Sequence, residues 1–237
     1  MSRSRTTTRV CALFVAPLMA VAAACGGGSG PEQTLIRTYF TASNVGDRGS
    51  LQNITMFAWN TREKGTVTGP SVTNVSEERS RPLRVKDLIQ ALADTQTAEE
   101  TFTQEKIAYQ DENFEAINRV LEAERDDGDV ASRDSDVQEA WTDWRERTME
   151  NSKAVSDARQ ALSAEQNTAS LSVYNANNPL DLDQYDGQIV SKDVAVTATV
   201  TIDENGTEQQ LTVTLQRTIL ENGEEPIEGR WVIANVS

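Results

Sequence analysis

Residues 85–167 place the strongest constraint on what this 237-residue chain can fold into. They contain no proline and a single glycine, Gly128, and they are rich in Ala, Glu, Gln and Asp. Proline and glycine are the residues that helix interiors tolerate least, so their near absence favours long helices on both sides of a turn at residues 126–129. The stretch predicts an antiparallel helical hairpin whose arms, at 1.5 Å per residue, are each about 45 to 60 Å long.

The second predicted helix carries a heptad seam, in which positions recur after four and then three residues. Its members are Val137, Trp141, Trp144, Thr148, Asn151, Val155, Ala158 and Leu162. The first helix offers Phe114, Ile117 and Leu121 for burial of Trp141 and Trp144. The alternative is that the two tryptophans lie exposed as the anchors of a surface for a protein partner.

The last quarter of the chain has the alternation of antiparallel strands. Apolar residues recur at every second position from 194 to 202, and the alternation resumes at Leu211, Val213 and Leu215 after the turn sequence 203–206. A third strand is expected at 229–236. Residues 33–44 are predicted to form a first helix, and Ser50 is expected to cap a second, short one that reaches Ala58.

The first 24 residues have the three regions of a secretory signal. Arg3, Arg5 and Arg9 precede an apolar run at 10–21, and small residues at 22–24 lead into Cys25 and a Gly/Ser stretch. The segment resembles a bacterial lipoprotein signal, in which the cysteine that follows the small residues is acylated with chains such as palmitate and becomes the mature N-terminus. This resemblance implies a signal peptide at 1–24, a lipid on Cys25 and a flexible tether at 25–32.

Two alternatives for this segment stay open. Ordinary secretion would cleave at the same small residues and leave Cys25 as an unmodified thiol. An uncleaved membrane span would have only residues 10–24, fewer than the roughly 20 that a helix needs to cross the hydrocarbon core.

The two ends of the body together resemble an NTF2-like domain, a cystatin-like cone. An aromatic-rich helix that ends in Gly46-Asp47 and a closing strand that contains Gly-Arg-Trp-Val-Ile at 229–233 carry this resemblance. It covers 33–84 and 168–237 and leaves 85–167 as an insertion. The fold class expected is therefore α+β: a curved antiparallel sheet with N-terminal helices and a long antiparallel helical-hairpin insertion.

The NTF2-like resemblance implies a pocket inside the cone. Tyr39, Phe40, Trp59 and Trp231 are candidates to line it, and burial in the core is the alternative for all four. Enzymes of this superfamily commonly use a His-Asp or Tyr-Asp arrangement in the pocket. The chain has no histidine, which excludes the first arrangement, and no spacing selects a pair for the second. We expect no catalytic residue.

The net charge of the chain limits the classes of partner that it can bind. Without residues 1–24 the chain holds 19 basic and 37 acidic residues, a formal charge of −18, which repels nucleic acid. The spacing of Asp181, Asp183 and Asp186 departs from that of a calcium loop, and the acidic residues near 126–136 are expected to be a solvated turn. We expect no metal and no cofactor.

These observations predict a non-catalytic, lipid-anchored protein of the cell envelope, facing outside the cytoplasm. The membrane contact is the N-terminal lipid, and the helical hairpin is expected to bind an envelope protein. A small-molecule binding module that uses the NTF2-like pocket is the alternative, and an isomerase or dehydratase is the third interpretation. Pairing of two hairpins into a dimer also stays open.

Overall fold

The computed structural model describes residues 30–177, 179–223 and 225–237. Within these ranges the fold is α+β: an antiparallel sheet curls into a half-barrel and packs against helices on both of its faces. The proposed signal peptide, Cys25 and most of the proposed tether lie outside the described residues.

Six α-helices and six strands lie in the described part of the chain. The helices are α1 (Pro31–Val45), α2 (Arg48–Ile54), α3 (Thr61–Lys64), α4 (Val85–Glu112), α5 (Phe114–Arg125) and α6 (Ser135–Val173). The strands are β1 (Thr66–Val75), β2 (Arg79–Pro82), β3 (Asp186–Ile202), β4 (Asn205–Glu221), β5 (Ile227–Glu228) and β6 (Val232–Val236).

The centre of the sheet is the long hairpin of β3 and β4, which pair without a break from Asp186 opposite Glu221 to Ile202 opposite Asn205. β1 and β2 pair with successive parts of β3, and β5 and β6 pair with successive parts of β4. The turn of this hairpin consists of Asp203 and Glu204, both at positive φ, and is shorter than the predicted turn at 203–206. Two residues at positive φ are the geometry of a tight hairpin turn that matches the twist of its strands.

The two faces of the sheet have separate cores, because side chains alternate along each strand. One face, the α1 face, is covered by α1 and the segment after it. Its buried residues include Ile36, Tyr39, Phe40, Trp59, Val67, Val194, Val196, Val200, Val213, Leu215 and Ile233. The other, the α6 face, is covered by the start of α4 and the end of α6. Its core comprises Val85, Ala169, Leu182 and Leu220, with Leu162, Val173 and Ile227 packed around them.

α4 and α5 both pack against α6 and run antiparallel to it. Arg84 N, just before α4, bonds Glu165, Lys106 bonds Thr148, and Arg119 bonds Asp134, just before α6. The residue numbers of these partners decrease along α4 and α5, as expected for antiparallel packing. The first predicted helix is interrupted at Asn113, where α4 ends and α5 begins. The second extends past residue 167 to Val173 because its last turn is buried on the sheet.

Two boundaries at the start of the described chain differ from the sequence prediction. Pro31 and Glu32, assigned to the tether, form the first turn of α1, where proline at the first helical position is favoured. Asp47, not Ser50, caps α2: its carboxylate accepts a hydrogen bond from Ser50 N at 3.2 Å. α2 then ends at Ile54, so Phe57 and Ala58 lie beyond it.

Candidate interaction surface and buried aromatic residues

Three of the four candidate pocket aromatics lie in the core of the α1 face. Tyr39 and Phe40 are fully buried, and the Phe40 ring meets those of Tyr39 and Trp59 edge-on at 5.1 and 5.7 Å between centroids. Tyr39 Oη donates to Phe57 O at 3.0 Å, and Trp59 Nε1 donates to Gly65 O at 2.8 Å. Burial raises the pKa of Tyr39 to about 12, so its phenol stays protonated at neutral pH. These side chains pack α1 against the sheet.

Trp231 is placed differently, between two cations on the same face of the sheet. Lys192 Nζ lies 4.1 Å and Arg217 Cζ 4.8 Å from the centre of its ring. A cation this close to an aromatic face is attracted by the ring quadrupole. The half-buried indole therefore holds two basic side chains of β3 and β4 at the N-terminal end of α1.

Carboxylates complete this cluster around Trp231. Lys192, whose side chain is 8% exposed, donates to Glu32 Oε1 at 2.8 Å. Arg217 pairs with Glu228 at 2.8 Å and with Glu78 at 3.4 Å. The hydrogen bond from Lys192 holds the pKa of Glu32 below its ordinary value, against the opposing effect of burial. Since each cation has an acidic partner, the cluster ties α1 to the sheet.

Trp141 and Trp144 lie in the interface between α4 and α6. Trp141 is buried, with Lys106 Nζ 5.4 Å from its ring centre. Trp144 is half-buried and packs against Phe102 and Tyr109 of α4, at 5.2 and 5.7 Å between ring centroids. The pair therefore joins the two helices and does not provide an exposed anchor for a partner.

The residues expected to bury the two tryptophans are only partly in that interface. Ile117 is buried, but Phe114 and Leu121 face outward with 64% and 39% of their surface exposed. Ile107 is also exposed, at 51%. The expectation for Phe114 and Leu121 is wrong because the contacts of Trp144 are supplied by Phe102 and Tyr109, further back on α4.

Ile107, Phe114 and Leu121, the exposed stripe, form the candidate interaction surface. They are seven residues, or about two helical turns, apart, which places them on one face of the helical path. The bonds from Asn113 N to Tyr109 O and from Ile117 N to Asn113 O carry the helical path across the break. Sequence reasoning missed this surface, although the seven-residue repeat was a visible signal, because the repeat does not say which side of a helix is covered.

A surface groove lies between α2 and the end of α6. It has a volume of about 650 Å³ and is lined by carboxamides, a hydroxyl and three larger side chains. The lining residues are Gln52, Asn53, Met56, Asn167, Ser170, Leu171 and Tyr174. A smaller hollow of about 290 Å³ continues from it along α2 and shares Gln52 and Met56. The larger groove has no charged residue in its lining, so this groove suits a neutral ligand.

Two further findings concern the described residues alone. They contain no group of three or more Cys, Asp or Glu side chains placed to hold a metal ion. None of the helices among them is long and apolar enough to cross a membrane.

No protein-family model matches this chain, and neither a curated protein nor a solved structure does.

Proposed function

We propose that this chain is a non-catalytic, lipid-anchored protein of the cell envelope that binds a protein partner through the helical hairpin formed by α4, α5 and α6. The observation that carries the proposal is the exposed stripe, where three large apolar side chains face solvent at seven-residue spacing. Aromatic and aliphatic side chains that line up on one helix face are the usual anchors of helix-mediated recognition.

The contacts between helices and sheet support a projecting hairpin. The α6 face is covered by Val85 at the start of α4 and by Leu162, Ala169 and Val173 near the end of α6. Phe102, Trp141 and Trp144 pack within the helical unit. The path from Val85 along α4 to Phe114 at the start of α5 is about 44 Å at 1.5 Å per residue. This length would carry the exposed stripe away from the sheet.

The anchor rests on the lipoprotein-like signal and Cys25. Several acyl chains attach a protein to a bilayer lastingly, whereas its charge of −18 would keep the body off an anionic surface. An NTF2-like architecture is proposed for the sheet and α1, supported by the curled antiparallel sheet with a helix across one face. The space between α1 and the sheet is filled by Tyr39, Phe40 and Trp59, which favours a binding surface outside the cone.

A small-molecule binding module is the second candidate function, favoured by the groove between α2 and α6. Its volume is within the range of ligand sites, and carboxamides with an exposed tyrosine suit a neutral polar molecule. Here the ligand would bind at the outer surface, and the aromatic residues of the α1 face would serve only as core.

Intact mass of the full chain, extracted from the membranes of a bacterial expression host, tests the anchor. We expect cleavage before Cys25 with added acyl mass that Cys25→Ser abolishes. A chain cut at the same place with an unmodified thiol would overturn the anchor and support ordinary secretion.

Site-specific photocrosslinking in the same cells tests the interaction role. A photoreactive residue at Phe114 is compared with one at Glu208, which is exposed on β4. We expect protein adducts from position 114 and none above background from position 208. Equal adduct patterns at the two positions would overturn the interaction role of the hairpin.

A further inference from the structure

The exposed stripe has an acidic flank on one side. Asp111, Glu115 and Glu122, the acidic rail, follow the same helical path at about 60 to 100° from the middle of the stripe, at 100° per residue. All three are exposed, and none forms an ion pair within 4.0 Å among the described residues. The opposite side of the stripe carries Ile117, which is buried against α6.

The nearby basic side chains are bound to other groups. Arg119 makes two hydrogen bonds to the Asp134 carboxylate, at 3.0 and 2.7 Å, and Arg125 pairs with Asp126 at 2.9 Å. Lys106 points into the interface, where its Nζ bonds Thr148 at 2.8 Å. Arg119 and Arg125 also interact electrostatically with Glu115 and Glu122, although neither forms an ion pair with them within 4.0 Å. The rail therefore keeps a partly offset negative charge next to an apolar surface.

From this arrangement we infer that the hairpin binds a basic amphipathic helix of another protein. Its apolar residues, seven apart, pack on Ile107, Phe114 and Leu121, and its Lys or Arg side chains face Asp111, Glu115 and Glu122. The stripe is about 21 Å long, which matches about four turns of such a helix. The inference rests on the proposed function and names the class of partner.

A second copy of this chain fits the stripe less well. In an antiparallel pair Ile107 would face Leu121 and Phe114 would face its own counterpart, so the apolar positions are self-complementary. The same symmetry places each flank of one copy against the same flank of the other copy, because equivalent sides of two antiparallel helices meet. The acidic rail would then face its own copy, whereas a basic helix turns that repulsion into attraction.

Peptide binding to the full chain without its lipid (Cys25→Ser) tests this assignment. Two labelled helical peptides share one apolar heptad pattern; one carries Lys at the flanking positions and the other carries Glu. We expect the Lys peptide to bind at least tenfold more tightly. Phe114→Ser should weaken this binding about tenfold, since it removes the central anchor. Met149→Ser is the matched control, because Met149 is 67% exposed on α6, outside the stripe.

Charge reversal separates the rail from the overall charge of the chain. We expect Asp111→Lys, Glu115→Lys and Glu122→Lys together to weaken binding of the Lys peptide about tenfold, the combined effect of several exposed ion pairs. The control replaces Glu139, Glu146 and Glu150, which are exposed on α6, with Lys and changes the net charge equally. Equal effects of the two triple variants would overturn the rail as the determinant.

The crosslinking and peptide-binding results together distinguish the basic-helix partner from the more general interaction role of the hairpin. If position 114 crosslinks to a protein but the Lys and Glu peptides bind equally, the basic-helix assignment is overturned and the interaction role stands. Concentration-dependent dimers in sedimentation that Phe114→Ser abolishes would overturn the assignment in favour of a second copy. Binding to phosphatidylglycerol vesicles that depends on Phe114 would overturn it in favour of a membrane surface.

Discussion

The side-chain amide of Asn44 forms hydrogen bonds with both backbone polar groups of Val67. Asn44 Nδ2 donates to Val67 O at 2.7 Å, and Val67 N donates to Asn44 Oδ1 at 3.1 Å. The side-chain amide of Gln33 bonds two residues further along β1: Gln33 Nε2 donates to Pro70 O at 2.7 Å, and Val72 N donates to Gln33 Oε1 at 2.8 Å. Unpaired groups at a sheet edge are a template for pairing with other chains. Two amides of α1 thus cover the outer edge of β1.

Removal of the Asn44 amide should destabilise the fold. Asn44→Ala leaves the backbone groups of Val67 without these partners, and we expect the free energy of unfolding to fall by about 1 to 3 kcal/mol in urea titrations. Asn53→Ala is the control: Asn53 is exposed on α2 and bonds only Gly49 O, so its effect should stay within about 0.5 kcal/mol. Equal losses in the two variants would contradict the role of the edge contact.

Ser172 should contribute more to the stability of the fold than its neighbour Ser170. The buried Ser172 hydroxyl accepts from Thr218 N at 2.9 Å and donates to Arg230 O at 2.8 Å, which joins the end of α6 to the sheet. Ser172→Ala leaves a buried N–H unpaired, so we expect a loss of about 1 to 3 kcal/mol in unfolding free energy. Ser170, which bonds Asn167 O within the helix, should tolerate alanine in the same titration. The prediction fails if Ser170→Ala is the more damaging change.

Glu32 should contribute stability that disappears in acid. Its pKa in the folded chain is lowered from the ordinary 4.5 by the hydrogen bond from Lys192, so the folded state favours the ionised carboxylate. The contribution is fully present above pH 4.5 and is lost as the pH falls through the folded pKa. We therefore expect Glu32→Gln to destabilise the chain at pH 7 and to have little effect at pH 3.

Urea unfolding of the wild type and Glu32→Gln at these two pH values measures this difference. Glu77→Gln is the control, since Glu77 is exposed and its side chain forms no ion pair among the described residues. A Glu32→Gln effect that is the same at both pH values would show that packing, not the charged hydrogen bond, is lost.

Truncation of Trp141 should destabilise the fold far more than truncation of Phe114. Trp141→Ala removes a buried indole from the interface between α4 and α6, so we expect a loss of about 3 to 5 kcal/mol in unfolding free energy. Phe114→Ala removes an exposed ring and should change stability by less than about 0.5 kcal/mol. Thermal and urea unfolding check both; a large loss for Phe114→Ala would place that ring in the core of the hairpin.

Glycine at position 204 should stabilise the hairpin of β3 and β4. Glu204 has φ 69° at the turn, a left-handed conformation that costs an ordinary residue about 1 to 2 kcal/mol. Glu204→Gly removes this strain, although it also loosens the unfolded chain, so we expect a net gain of about 0.5 to 1 kcal/mol. Glu208→Gly, in the strand beyond the turn, should instead destabilise the sheet. A loss for Glu204→Gly would contradict the two-residue turn.

Local patterns predicted the helices and the β3–β4 hairpin but not α3, β1 or β2, whose polar, mixed sequence has no clear repeat. The alternation from Val194 to Ile202 indicates a strand because a half-buried strand repeats every two residues, and the structure places Val194, Val196 and Val200 on one buried face. The helical stretch was equally visible, but its interruption at Asn113 was not. Asn113 is held by its own bond to Tyr109 O, and nothing in the apolar repeat marks that residue.

The position of the functional surface could be predicted only in part. Trp141 and Ile117 are buried as the heptad spacing suggested, whereas Phe114 and Leu121 are exposed. Both groups have the same helical repeat, so the sequence does not distinguish a seam that meets α6 from a stripe that faces solvent. The rotation of α4 and α5 against α6 decides it, through the contacts of Phe102 and Tyr109 with Trp144.

The sequence by itself therefore determined the long helices, the β3–β4 hairpin and the acidic, histidine-free character of the chain, because these depend on near neighbours and composition. Only the tertiary structure decided which helix faces are covered and which edge of the sheet is protected. Residues distant in sequence make those contacts, as Gln33 and Asn44 do with β1 and Glu32 does with Lys192. Such pairings depend on how whole elements pack, which no local repeat encodes.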